Sequence, residues 1–386
     1  MTAHRTADLR RQNLVRVLSS ILSKGPSSRA ELAAELGLSR AALTAIVGDL
    51  LELDLLREGG SVASRGRPFT LLEASPDRYA SLGIDVRIDR VELMALGLDG
   101  TELARAACSV PPEPTPLELE QAMGDLLVEI RAEIHHELIG FGFAMPARRA
   151  DLGMSHPIWG WRDVPVQNSF RQLAAGRPYA VLDLAEAACL ANSRQPQLRD
   201  ASRAVHLQIG AGATMARAID GRINLDLPAR WGEPGHVPLG LEDRPCSCGR
   251  TGCAHAFVSI DTLASAAPHV TVPSGPNRIT RLATAIAAAA AAGDRRAAEG
   301  ISHVAVAVSR LVVILVELDG LDAVTLGGYP LFLGPDFLDL VDRLVSERLR
   351  APSPIRRTTL RDDAVLTGAS LIARDAGLAD PAALRA

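Results

Sequence analysis

Over the first fifty residues, apolar side chains recur three and four positions apart. Leu9, Leu14, Val15, Val17, Leu18, Ile21 and Leu22 mark an amphipathic helix over about residues 6–23, and Lys24-Gly25-Pro26 stops it. Ser27 or Ser28 can cap the next helix, with Glu31 completing a capping box from Ser28. Leu32, Ala33 and Leu36 then turn inward, and Gly37-Leu38 makes a tight turn. Ser39 caps a third helix that carries Leu43, Ile46, Val47, Leu50 and Leu51. Three short helices with a glycine turn before the third describe a helix-turn-helix. Residues 55–60 and 69–72 read as two strands of a wing around 61–68.

From Tyr79 the pattern changes to strands alternating with helices. Residues 82–86 read as a strand, with 91–96 as its hairpin partner turned by Asp99-Gly100. Residues 117–136 read as a helix, and 138–145, 180–183 and 204–209 as further strands. This predicts α/β architecture with two lobes. A length of 386 residues with 47% hydrophobic side chains accommodates two or three cores. No apolar run approaches the ~20 residues that span a bilayer, and the alanine-rich stretch 283–292 is followed by Gly293-Asp294-Arg295-Arg296. Met1-Thr2-Ala3-His4-Arg5 leads into a polar amphipathic segment without an apolar signal core. These features predict a soluble cytoplasmic protein with no membrane partner.

The net charge of −4 carries no global nucleic-acid signature, but it is unevenly spread. Residues 1–80 hold eleven basic side chains against nine acidic ones, so the excess of acid lies in the body. The third helix would present Ser39, Arg40, Ala41, Ala42, Thr44 and Ala45 to base edges in a major groove. Arg40 can pair bidentately with guanine, and Thr44 can contact a phosphate or a thymine methyl. Arg65 and Arg67 flank Gly66 at the wing tip and suit a narrow, electronegative minor groove. The helices alone leave open a bundle used for protein contacts. The wing arginines and the Leu36-Gly37-Leu38-Ser39 turn favour double-stranded DNA.

Two of the five cysteines, Cys108 and Cys189, stand alone in apolar surroundings and read as buried core thiols. The others cluster as His236-x9-Cys246-x-Cys248-x4-Cys253, a spacing that favours a metal over a disulfide in the cytoplasm. Three thiolates and one imidazole complete a tetrahedral shell suited to zinc, closed and therefore structural. Gly249 and Gly252 let the chain bend between ligands.

Several blocks, in order and over nearly the whole chain, resemble the ROK family (repressor, open reading frame, kinase), in its xylose/N-acetylglucosamine repressor branch. They are Arg65-Gly66-Arg67-Pro68, Gly83-Ile84-Asp85 with Leu98-Asp99-Gly100, Ala144-Met145-Pro146, and Gly160-Trp161-Arg162-Asp163-Val164-Pro165. Gly232-Glu233-Pro234-Gly235-His236, the cysteine cluster and Leu326-Gly327-Gly328 complete the set. The resemblance implies an actin-like (hexokinase-like) body with a cleft between two lobes. The head would span residues 1–78 and lobe one 79–195, with a helix in 368–386 returning to it. Lobe two would span 196–367 and hold the zinc. By resemblance Glu233 and His236 touch sugar hydroxyls. Asp183 and His255 stand at further pocket positions where the family carries asparagine and glutamate.

The resemblance also implies what catalysis would need. The family's phosphate hairpin reads Asp-x-Gly-Gly-Thr-Lys, but this chain reads Asp85-Val86-Arg87-Ile88-Asp89-Arg90. Both glycines are replaced, and Asp89 would repel phosphate. The family's catalytic aspartate aligns with Leu184, which takes no proton. Gly210-Ala211-Gly212 and Gly327-Gly328 survive, as packed strand turns or as remnants of a nucleotide site. No catalytic residue is therefore assigned. The expectation is a DNA-binding regulator, by family habit a repressor. It would act as a homodimer or homotetramer on a palindromic operator and respond to a sugar or sugar derivative. The alternatives are an ATP-dependent sugar kinase with a DNA-binding head, and a regulator without a small-molecule effector.

Overall fold

The computed structural model describes residues 2–62, 69–111, 113–146, 148–150, 153–156, 159–223 and 233–385. The chain opens with α1 (Thr2–Lys24), β1 (Ser27–Ser28), α2 (Arg29–Leu36), α3 (Arg40–Glu52), β2 (Leu56–Val62) and β3 (Phe69–Ala74). The helix-turn-helix and the two strands that flank the predicted wing are as expected, the wing tip at 63–68 lying outside the described residues, with two further features. The first helix starts at Thr2 rather than near residue 6, and the short β1 adds a third strand by pairing antiparallel with β3. Leu14, Val17, Leu18, Leu32, Leu43, Val47 and Leu50 close the core of these elements.

A five-stranded sheet follows, in the order β11-β7-β4-β5-β6. Its strands are β4 (Tyr79–Val86), β5 (Arg90–Gly97), β6 (Glu102–Ser109), β7 (Glu137–Met145) and β11 (Tyr179–Asp183). Between them lie α4 (Pro116–Glu133), a small sheet of β8 (Arg148–Ala150), β9 (Gly153–His156) and β10 (Trp161–Val164), and α5 (Gln167–Ala174). β4 and β5 form the expected hairpin, but its turn is Arg87–Asp89, closed by the Arg87 N–H donating to Arg90 O at 2.8 Å. Asp99-Gly100 instead turns β5 into β6, a strand the pattern alone does not single out. β6 sits at the sheet edge with only alternate side chains covered, so its apolar signal is weak. It leaves Cys108 half-buried, whereas Cys189 is core as expected, its thiol pushed up to about 12 by burial. α4 starts on Pro116 behind a Thr115–Glu118 capping box and ends at Glu133, short of 136.

α6 (Leu184–Ser193) leads to a four-stranded sheet in the order β14-β13-β12-β15. It comprises β12 (Arg203–Ile209), β13 (Ala213–Ile219), β14 (Arg222–Ile223) and β15 (Ala323–Gly328). Around it lie α7 (His255–Val258), α8 (Ile260–Ala266), α9 (Arg278–Ala291), α10 (Arg295–Asp319) and α11 (Pro335–Leu349). Val205, Leu207 and Ile209 pack on these helices, while Ala204 and His206 face α6, the alternation a strand buried on both sides demands. α10 has the length and apolar composition of a membrane span, but Val304, Ala305, Val308, Leu311 and Val312 are spent on this core.

α12 (Ala364–Gly377) returns to the first sheet and begins four residues earlier than the predicted 368. It lies on β7 so closely that a Cβ at Gly142 would fall 1.9 Å from Ala369 O. Only glycine permits that approach. Beyond α12, Leu378 and Leu384 enter the same hydrophobic cluster as the head, together with Tyr79, Leu98 and Ile139. The head is therefore seated on the body.

Candidate functional site

The reading face of α3 follows from its caps and its buried stripe. Gly37 terminates α2 in the left-handed region, at φ 65°, which turns the chain sharply into α3. Ser39 caps α3, its Oγ accepting the Ala42 N–H at 3.2 Å. Leu43, Ile46, Val47 and Leu50 are buried, so Ser39, Arg40, Ala41, Ala42, Thr44 and Ala45 come out exposed on the opposite side. The Thr44 hydroxyl donates to Arg40 O at 2.8 Å. Arg65 and Arg67 lie outside the described residues.

One residue pair that the pattern did not single out holds this helix in place. Arg10 of α1 donates from Nε and Nη2 to both carboxylate oxygens of Asp49, at 2.8 Å each. Asp49 is 9% exposed on the inner side of α3. An acid within a buried apolar stripe was the available signal, because such a charge requires a partner.

In the body, His236, Cys246, Cys248 and Cys253 converge, with all four ligand atoms within 4.8 Å of one another. Cys248 Sγ lies 3.7 Å from Cys253 Sγ, and His236 Nδ1 lies 3.6 Å from Cys246 Sγ. A tetrahedral ion with Zn–S of about 2.3 Å and Zn–N of about 2.0 Å places S···S pairs about 3.8 Å and S···N pairs about 3.5 Å apart, close to these two separations, so the donor set fits. Arg250 hydrogen-bonds Cys248 and draws its thiol down, while burial pushes Cys253 up.

His236 turns its other nitrogen, Nε2, to Glu233 Oε2 at 3.3 Å. His255 stacks on His236 with ring centroids 6.0 Å apart. Burial, and then the neighbouring His236, hold the His255 imidazole below its ordinary pKa. Glu233, His236 and His255 thus form one wall. Asp183 is the N-cap of α6: Oδ1 accepts the Glu186 N–H at 2.7 Å, and Glu186 Oε2 accepts the Asp183 N–H at 2.8 Å. Leu184 is the first residue of α6 and packs in an apolar cluster with Leu182, Ala187 and Val365.

A family model described as the ROK family matches residues 81–376. The chain belongs to the ROK family. Among its ROK relatives is a xylose repressor of Caldicellulosiruptor bescii, 23% identical over 379 residues, with 93% of this chain and 94% of the relative covered. A crystal structure of a ROK family transcriptional regulator, a homologue of the E. coli Mlc protein, superposes with a TM-score of 0.76 at 19% identity. It covers 97% of this chain and 98% of its own. A ROK hexokinase from Thermus thermophilus superposes with a TM-score of 0.60 at 22% identity, covering 76% of this chain and 98% of its own. The ROK body is thus the two-lobed, actin-like α/β fold.

The surviving glycines of this ROK chain have packing reasons. A Cβ on Gly327 would fall 2.2 Å from Gln208 Oε1 and 2.5 Å from His206 Nε2. His206 is buried among Asn192, Thr325 and Gln208, and burial holds its pKa down to about 4. Gly212 adjoins the pocket wall, since a Cβ there would meet His255 Nδ1 at 3.2 Å. At the β4–β5 hairpin, Asp85 is fully buried and accepts from Arg87 Nε at 2.7 Å. Burial pushes its carboxyl upward, against the pull of Arg87.

Proposed function

We propose that this chain is a DNA-binding transcriptional repressor that responds to a sugar or sugar derivative held in a body no longer able to transfer phosphoryl groups. The observation that carries the reading is the face of α3. Arg40, Ala41, Ala42 and Thr44 are exposed beside a fully buried Leu43–Leu50 stripe, on a helix locked to α1 by Arg10–Asp49. That is a small, basic, shape-compatible surface for a major groove. Support from relatives is of the same kind, since the C. bescii protein named a xylose repressor matches over head and body alike.

Against phosphoryl transfer stand side chains where backbone amides would have to cradle phosphate. Arg87 and Ile88 fill the turn, and Leu184 takes the place of the base. Residues 1–78 act as the head, 79–195 with the returning segment 368–386 as lobe one, and 196–367 as lobe two. His236, Cys246, Cys248 and Cys253 would hold a structural zinc, which when bound supplies a rigid tetrahedral cross-link and no reaction step. Through Nε2, His236 would then orient Glu233, so Glu233, His236 and His255 present polar atoms to sugar hydroxyls. Asp183 contributes through the position of α6. A homodimer or homotetramer in the cytoplasm would place two heads on a palindromic operator, and effector binding would change their spacing.

The experiment is titration of full-length protein against labelled DNA from upstream of its own gene, with random-sequence DNA as competitor. Binding at least about 10³-fold tighter than to random DNA is expected. A sugar library is then screened for melting shifts, and each hit is tested for release of that DNA. Equal affinity for all sequences refutes the reading. Phosphorylation of any sugar from ATP refutes its non-catalytic half.

A further inference from the structure

The Arg87–Arg90 hairpin is held by a network of buried ion pairs. Arg87 donates to Asp85 and to Asp362, each at 2.7 Å, and Arg90 pairs with Glu92 at 3.1 Å and Asp362 at 3.2 Å. Asp362 belongs to the 3-10 turn Arg361–Asp363, which runs directly into α12. These charges lie at least three-quarters buried and close on one another. A buried network of this kind tolerates no missing member.

Two more bonds leave this knot and cross the cleft to α9, which packs in the core of the second sheet. Asp89 accepts the backbone N–H of Arg278, the first residue of α9, at 2.5 Å, and Arg90 donates to the side chain of Asn277. Asn277 stands at the N-cap of α9, but at φ 59° its side chain makes no cap bond and reaches Arg90 instead. Helix N-caps are ordinarily supplied by the residue in place. Here the cap of a lobe-two helix comes from a lobe-one hairpin 189 residues away. Opening the cleft would uncap α9 and strip Arg90, 8% exposed, of one of its acceptors.

We propose that the Arg87–Arg90 hairpin is an interlobe clasp that holds the cleft closed without ligand and, through α12, stiffens the seat of the head. α12 starts at the residues bound by Arg87 and Arg90, and Leu378 just beyond its other end lies in the head's core. A looser α12 raises the ordering cost of setting two heads in register on DNA, so release of the clasp weakens operator binding. This second half rests on the DNA-binding function proposed above. The first half does not.

Hydrogen exchange on the full-length protein separates them. Asp89→Ala and Asn277→Ala are the variants to use, because Arg90→Ala would also take one ion-pair partner from each of the mostly buried Glu92 and Asp362, leaving them only Arg105 and Arg87, and endanger folding. Each variant should speed exchange in the first turn of α9, residues 278–281, about tenfold, with α10 unchanged. Small-angle scattering should show a larger radius of gyration. Exchange within about twofold of wild type in both variants overturns the clasp. Operator affinity of Asp89→Ala should fall by about threefold or more. Faster exchange with unchanged or tighter operator binding overturns the transmission through α12. A wild-type protein that binds no operator sinks the regulator reading and the transmission together, while the exchange result still decides the clasp.

Discussion

Chelation should weaken lobe two and leave the head alone. The four donors of His236, Cys246, Cys248 and Cys253 already lie within 4.8 Å of one another, two pairs of them at 3.6 and 3.7 Å, so only a small contraction opposes metal binding. An ion at about 100 times its dissociation constant stabilises the native state by about 2.7 kcal/mol. For a unit the size of residues 196–367, each kcal/mol moves the melting midpoint by about 2–4 °C. Removal of the ion should therefore lower the lobe-two midpoint by about 5–10 °C. Cys248→Ser is the informative variant: Cys248 is exposed, so serine costs almost no packing, whereas Cys246 and Cys253 are buried. Elemental analysis should find one zinc per chain in the wild type and a deficit in the variant. Calorimetry with and without a chelator should show the shift in one transition, with the head as the internal reference. Metal-free protein as purified, or a chelator that leaves both transitions in place, would refute the assignment.

Three other expectations bear on the rest of the molecule. Arg40→Ala should cost about 1–3 kcal/mol of specific DNA binding and relax base preference at one operator position, read by competition with single-base operator variants; unchanged preference removes Arg40 from the reading face. His206 is held down to about 4 by burial, so the unfolded chain takes up a proton near pH 6.5 that the native state refuses. Its contribution is intact above about pH 6.5 and is lost progressively down to about pH 4, about 3 kcal/mol in all, which urea titrations should show as a shallower pH slope in His206→Gln. Leu184→Asp should remain inactive in a coupled ATP assay with hexoses and amino sugars, because the hairpin is still filled by Arg87 and Ile88; turnover would mean that the base alone was missing.

Features written within a few residues were legible from the chain. The Ser28–Glu31 box, the left-handed Gly37 and the Ser39 cap each join positions within four residues, so the residue types dictate the geometry. The His/Cys donor cluster was legible for a related reason: thiol and imidazole donors have few other uses at that spacing. Contacts spanning hundreds of residues were not. Nothing in Arg87 or Asp89 names Asp362 or Arg278 as a partner, and nothing in Asp183 by itself announces that it also caps α6. The edge strand β6 was hidden by its half-exposed pattern, and the seating of the head on Leu378 and Leu384 by the length of chain between them. Local elements, the family resemblance and the His/Cys donor set follow from residue types at short spacing. Which charges meet across the cleft depends on the fold, because burial and pairing need neighbours that are hundreds of residues apart in the chain.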